Sequence, residues 1–259
     1  MKHILLFCIT LCQGMFHGTK IVKELVKGND YGRKFVVERG NDTLFLKTGE
    51  SSTIHEFLYA VIAEELGFVD ILPEFPELFI NCTHKTYGVG TKFLTNITGG
   101  EIKTKIARKN GKFELSVDNV WDACILLEPR SMRILIVDML MGNHDRMANC
   151  HRINGTLYAI DNDVATVEKT FDFDKEEISM ERITWARIPG LRRHILHSML
   201  DKEETQKALR SVDFDLNVLQ IDSIRERLKP LLACGDLESY SEKLIEAILW
   251  RRDIIAASM

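Results

Sequence analysis

The sequence predicts an α+β fold in two lobes: a small antiparallel β-rich N-lobe carrying one helix, then a larger, mainly helical C-lobe. Three observations predict it. Short β-branched and aromatic runs after Lys20 are separated by Gly/Asn/Asp turns. One apolar stripe at helical spacing follows them, and the second half of the chain is dominated by helix-period patterns. The 259 residues are 45% hydrophobic and 28% charged, with 16 Gly and only 5 Pro, which excludes disordered, collagenous and repeat architectures. A formal net charge of −4 offers no basic field, so nucleic acid is not an expected partner. No apolar run reaches the roughly 18–20 residues of a bilayer-spanning helix, so no integral membrane segment is expected.

The elements follow in chain order. Met1-Lys2-His3 and the apolar Ile4–Cys12 before Gly14 fit a secretory signal peptide, with a first buried strand as the alternative. The first reading places the protein in the secretory pathway or outside the cell, where the sequons at Asn41, Asn81, Asn96 and Asn154 would matter; the second leaves it cytoplasmic. Cys8 and Cys12 lie in that segment. Cys82, Cys124, Cys150 and Cys234 are scattered, require no disulfide framework and form no Cys-x-x-Cys pair, which argues against structural zinc.

Residues 15–94 form the N-lobe. Lys20–Val26, Arg33–Glu38 and Thr43–Lys47 read as an antiparallel meander, with turns at Gly28–Gly32 and Gly40–Asp42. Ile54, Phe57, Leu58, Val61, Ile62 and Leu66 then make one helical stripe, with Thr53 and Glu56 as a capping box and Gly67 as its stop. Strands are predicted at Leu78–Cys82 and Tyr87–Leu94. Residues 95–259 form the C-lobe, which begins with a polar linking stretch, Thr95–Lys112. Helices are predicted at Asp118–Leu127, Ser131–Met141, Lys202–Ser211, Leu216–Leu232 and Leu237–Ala257, with Pro230 kinking or shortening the fourth. A short strand pair, Cys150–Ile153 and Leu157–Ile160, turns at Asn154-Gly155. The whole is one domain, and a monomer is expected.

The chemistry concentrates between Asp138 and Asp163. Asp145, Asn149 and Asp161 offer two carboxylates and an amide within 17 residues, a hard-oxygen donor set suited to Mg²⁺ and nucleotide phosphates. Here the chain resembles a known family. Gly142-Asn143-x-Asp145-Arg146-x-x-Asn149 followed by Ile160-Asp161-Asn162 is similar to the catalytic and metal loops of atypical kinases, the group of phosphatidylinositol 3- and 4-kinases and actin-fragmin kinase. Asp138, seven residues before Asp145, matches that group's spacing. Upstream order agrees: Phe45-Leu46-Lys47 resembles the nucleotide lysine on the third strand, Glu56 its helix partner, and Gly88–Phe93 the strand leading to the adenine hinge.

The resemblance covers roughly Lys20 to Asp163 and implies a two-lobed protein-kinase-like fold with ATP and Mg²⁺ between the lobes. It implies Asp145 as catalytic base beside Arg146, Asn149 and Asp161 as metal ligands, and Lys47, held by Glu56, on phosphate. Gly28, Asn29 and Gly32 would cover the phosphates with backbone N–H groups, and Thr91, Lys92 and Phe93 would line the adenine site. The activity implied is protein Ser/Thr phosphorylation in the style of actin-fragmin kinase, with a protein substrate that by resemblance alone is cytoskeletal. Phosphoinositide phosphorylation is the alternative.

Three positions depart from the family pattern. Asn149 stands four residues after Asp145 where five is usual, Asp163 stands where Gly is common, and the phosphate turn has two glycines instead of three. These departures keep a third reading open, a catalytically weak kinase-like scaffold. The residues also have plainer roles: Lys47 as an edge charge, Glu56 as the return arm of its capping box, Asn149 and Asp161 as turn residues, Asp145-Arg146 as a local ion pair. Gly142-Asn143-His144-Asp145 also resembles a metallophosphoesterase signature, but that chemistry needs an upstream Asp-x-His and a downstream Gly-His-x-His, neither of which is present. Trp185–Arg193 is a substrate or headgroup contact in one reading and a Pro-Gly-turned loop in the other.

Overall fold

The structure, a computed structural model, describes residues 18–29, 32–81, 86–92, 104–109, 112–117, 128–143, 149–165, 167, 207–208, 210–233 and 237–258. The predicted leader, the helix at 118–127, most of that at 202–211, the Trp185–Arg193 stretch, Phe93, Asp145 and Arg146 lie outside these residues.

The meander forms as its turn chemistry dictates: β1 (Lys20–Asn29), β2 (Gly32–Arg39) and β3 (Asp42–Thr48) pair antiparallel in sequence. With β4 (Glu77–Asn81) and β5 (Thr86–Lys92) they complete a five-stranded sheet of order β1-β2-β3-β5-β4. Alternation along the strands gives the sheet two different faces. Phe35, Val37, Leu44, Leu46 and Phe79 form a small apolar cluster, with the guanidinium of Arg33 over Phe35 and that of Arg39 over Phe79. Gly90 permits this packing, because a Cβ there would sit 2.6 Å from the Phe79 ring. The intervening residues Phe45 and Lys47 line a cavity instead.

Between β3 and β4 runs α1 (Glu50–Glu65), buried without a break from Ser52 to Ala63. A helix buried on all sides has to lie between layers. One core joins its Ile54, Leu58 and Ile62 to Leu135, Ile136 and Leu140 of α2 (Pro129–Met141) and to Ile224 and Leu228 of α3 (Ile221–Leu232). The same core takes in Leu244, Ile245 and Ile248 of α4 (Glu238–Ser258). Each such side chain contributes roughly 1.5–3 kcal/mol on burial.

Three local expectations change. The capping box at Thr53 and Glu56 does not form: the helix starts earlier, at Glu50 after Gly49, so both residues are interior and Thr53 N–H bonds Gly49 O at 3.0 Å. The polar stretch 95–112 is not simply a linker, since β6 (Thr104–Lys109) and β7 (Lys112–Val117) pair across Asn110-Gly111, a hairpin dipeptide. The helix expected from Leu216 divides. A 3₁₀ turn, Leu216–Val218, comes first, with Asp215 Oδ1 accepting from Asn217 N–H at 2.9 Å, and α3 starts at Ile221. Pro230 sits inside the last turn of α3, which continues to Leu232.

The pair β8 (Cys150–Ile153) and β9 (Thr156–Ala159) forms about Asn154 and Gly155, whose φ values of 51° and 82° suit the turn that Asn-Gly favours. Among the described residues no helix is long and apolar enough to cross a membrane.

Candidate functional site

The site is assembled where β3, α1 and the segment after β9 meet. Lys47 projects from β3 into the interior and is 4% exposed. An ammonium this deeply buried has to be paired, and Glu56, on the facing side of α1, bonds it directly. Glu56 is therefore a charge partner across the fold, not a capping arm. Its other oxygen, Oε1, accepts from Asn162 Nδ2 at 3.2 Å, which fixes the carboxylate from both sides.

The segment Asp161-Asn162-Asp163 delivers its three residues to three elements. Asp161 Oδ1 lies 2.6 Å from Lys47 Nζ. Asn162 reaches Glu56. Asp163 presents its backbone carbonyl to His55 Nδ1 on α1 at 2.7 Å, and its carboxylate lies 3.8 Å from both Lys47 and Lys34. Asp161 makes this divergence possible with a φ of 51°, a left-handed conformation uncommon outside glycine and often found at functional sites. His55 Nε2 in turn pairs with Tyr240 Oη at 2.6 Å, tying α1 to α4.

Electrostatics follow from this geometry. Burial opposes the Lys47 ammonium, but Glu56, Asp161 and Asp163 outweigh it and raise its pKa above the usual lysine value. Burial likewise works against the Asp161 carboxylate, yet Lys47 and Lys34 hold it well below the usual carboxylate range. Asp163 goes the other way: burial, helped by the Asp161 charge, pushes it up to about 6 against the pull of Lys47. Burial lowers the pKa of His55, which favours the neutral ring.

Asn149 is brought to the same end of the molecule by the β8–β9 hairpin, since Ile160 N–H bonds Asn149 O at 3.0 Å. The metal-ligand candidates Asn149 and Asp161 thus flank adjoining rungs of one strand pair. On the other side, Asn143 Nδ2 donates to Asp138 Oδ1 at 3.0 Å and fixes the exit of α2 ahead of residues 144–148. Asp145 and Arg146 fall within that stretch, outside the described residues.

A cavity of about 260 Å³ adjoins the cluster, with Lys47, Glu56 and Asp161 at one end. Phe45, Ala60, Leu72 and Val89 give it apolar walls, and Thr91 and Lys92 also line it, an arrangement typical of small-molecule sites. Lys92 N–H donates to Glu74 Oε2 at 2.8 Å. Gly28, Asn29 and Gly32 lie at the tip of the β1–β2 hairpin, where Asn29 pairs with Gly32, two residues before Lys34.

Sequence reasoning missed Lys34, His55 and Tyr240. The signal for Lys34 is its register: in the β2–β3 meander it stands directly opposite Lys47 and so on the same face. His55 and Tyr240 carry no such local signal, being 185 positions apart.

The described donor candidates, the Asp161 carboxylate and the Asn149 amide, are oxygen donors, as Mg²⁺ prefers. Among the described residues no three His, Cys, Asp or Glu side chains form a ready metal cage. An ion held by one or two carboxylates together with substrate phosphates needs none, so the residues fit the group.

No family model and no curated protein matches the chain. Among solved structures, the Helicobacter pylori proinflammatory kinase CtkA superposes with a TM-score of 0.53 at 13% identity, covering 94% of this chain and 95% of that one. The Mycobacterium tuberculosis PknI kinase domain aligns over 94% and 97% of the two chains at 11% identity, with a TM-score of 0.34 that bears no weight. At such identity the first likeness speaks for the fold. The fold is kinase-like, an antiparallel N-terminal sheet with a helical C-terminal part.

Proposed function

We propose that this chain is an ATP- and Mg²⁺-dependent phosphotransferase acting on a protein hydroxyl, a Ser/Thr kinase in the style of actin-fragmin kinase. The observation that carries the reading is the convergence of Lys47, Glu56 and Asp161, 114 positions apart at the extremes, on one buried charge cluster beside an apolar cavity. Residues so distant, meeting at the cost of desolvating several charges, support a site over a stability device.

In this reading the cavity takes the base between Phe45, Leu72 and Val89, with Thr91 and Lys92 also in its lining. Lys47 binds phosphate oxygen as a point charge, oriented by Glu56, which Asn162 holds in turn. Asp161 and Asn149 hold the metal, which supplies charge neutralisation on the phosphates. Gly28, Asn29 and Gly32 offer backbone N–H groups above them. Asp145 accepts the proton of the acceptor hydroxyl, with Arg146 beside it. The acceleration comes from positioning and preorganised charge, which is what phosphoryl transfer chiefly requires.

Calorimetric titration of ATP with and without Mg²⁺, beside Asp161→Ala, tests the nucleotide site. Metal-dependent binding that the substitution abolishes is expected; equal affinity in both proteins removes Asp161 from its role. Labelled phosphate from ATP should then appear on a protein acceptor. Its appearance on phosphoinositide vesicles and on no protein would transfer the assignment to lipid. The four-residue spacing of Asp145 and Asn149 favours a second reading, a scaffold that does not turn over. No ATP binding under any condition would select it.

A further inference from the structure

Lys34 belongs to no role discussed so far, yet its placement is specific. It stands opposite Lys47 in the β2–β3 register, and two ammonium groups facing each other across a strand pair repel unless an anion lies between them. Asp161 is the nearer such anion, the Asp163 carboxylate standing farther off at 3.8 Å from both. Asp161 Oδ1 is 2.6 Å from Lys47 and its Oδ2 is 2.9 Å from Lys34, so one carboxylate spans both cations. A phosphate group is the other common anion that can present two oxygens to two lysines at once. Lys34 is also the more exposed of the two, its side chain being 22% accessible against 5% for Lys47. It follows Gly32 by two residues, next to the β1–β2 turn.

Resting on the nucleotide-site reading above, we propose that Lys34 is a second phosphate-binding cation, forming with Lys47 a clamp for which the Asp161 carboxylate and a nucleotide phosphate compete. The exchange is balanced in charge. As phosphate takes the two lysines, Asp161 is released from both and becomes available to the metal that accompanies the phosphate. Phosphate binding and metal binding are thereby coupled through one carboxylate, and Lys34 sets how tightly that carboxylate is withheld.

The coupling predicts opposite effects from one substitution. In Lys34→Met, which keeps side-chain length, calorimetry should show ATP affinity falling about tenfold or more, with and without Mg²⁺, as expected for one charge-assisted bond. Adenosine affinity should be unchanged. Mn²⁺ added alone should bind about threefold or more tightly, because Asp161 has lost one of its two cations. A lysine that merely balances the acidic cluster would raise metal affinity and leave ATP affinity within about twofold. That result overturns the clamp, as does unchanged Mn²⁺ affinity. Failure of the wild-type protein to bind ATP at all would instead overturn the nucleotide-site reading, and the clamp with it.

Amine acylation of the wild-type protein, mapped by peptide mass, gives an answer that does not depend on the variant folding. ATP should protect Lys34, the accessible member of the pair, while leaving the exposed Lys20 equally modified. Lys34 labelled to the same extent with and without ATP refutes its part in the clamp.

Discussion

Asp163 shows how one side chain reports its surroundings. Its carboxyl titrates at about 6 instead of the ordinary 3.8, because burial and Asp161 favour the neutral form more than Lys47 opposes it. Between those two values the unfolded chain has lost the proton and the folded protein keeps it. The folded state therefore binds more protons in that window, and this group's contribution to stability falls as pH rises through it. Asp163→Asn removes the slope. Urea unfolding of both proteins between about pH 4 and pH 6 should show wild type losing stability relative to the variant, and parallel profiles would contradict the burial argument. His55 titrates with the opposite sign, its lowered pKa costing stability as pH falls below 6.5, but that term is common to both proteins and cancels. Asp145 carries a separate prediction. Asp145→Asn should abolish phosphotransfer while ATP binding and the melting temperature stay close to wild type, because a proton acceptor acts on the reaction and not on the ground state. Undiminished turnover would remove it as the base.

At the scale of elements, α1 governs the site. It carries Glu56 to Lys47, and through His55 it grips both the Asp163 carbonyl and Tyr240 of α4. The helix is thus held at three points along one turn, and the loop after β9 is held with it. Tyr240→Phe removes one of these bonds and leaves His55 Nε2 without its 2.6 Å partner. The expected cost is about 1 kcal/mol, read as a lower midpoint in denaturant with an unchanged slope. A variant as stable as wild type would show that α1 is fixed by packing alone.

Across the whole molecule, the sheet and helices share a core that passes through α1, so the site lies within continuous packing. Arg251 closes the far side: 2% exposed, it donates from α4 to the Leu140 carbonyl of α2 at 2.9 Å. Burial pushes its pKa down to about 10, which leaves it charged at neutral pH. Arg251→Ala loses both this bond and the packing of a long side chain, for which roughly 2–4 kcal/mol is expected in equilibrium unfolding. A loss below about 0.5 kcal/mol would show that α4 is held by its leucines and isoleucines alone.

Elements whose causes are local could be read directly from the residues. The meander, the Asn154-Gly155 hairpin and the α1 stripe could be read because turn dipeptides and side-chain periodicity act within a few residues. The order of Lys47, Glu56 and Asp161 was also legible, through the motif they form along the chain. What those residues touch depends on how the folded chain brings distant segments together. Glu56 satisfies a capping-box pattern equally well, but the helix begins at Glu50 and leaves no end at Thr53 to cap, while the buried Lys47 ammonium needs a counter-charge. Lys34, Asp163, His55 and Tyr240 joined the site for the same kind of reason. Their partners lie up to 185 positions away, and desolvation penalties, which select such pairings, exist only once the chain has closed around them.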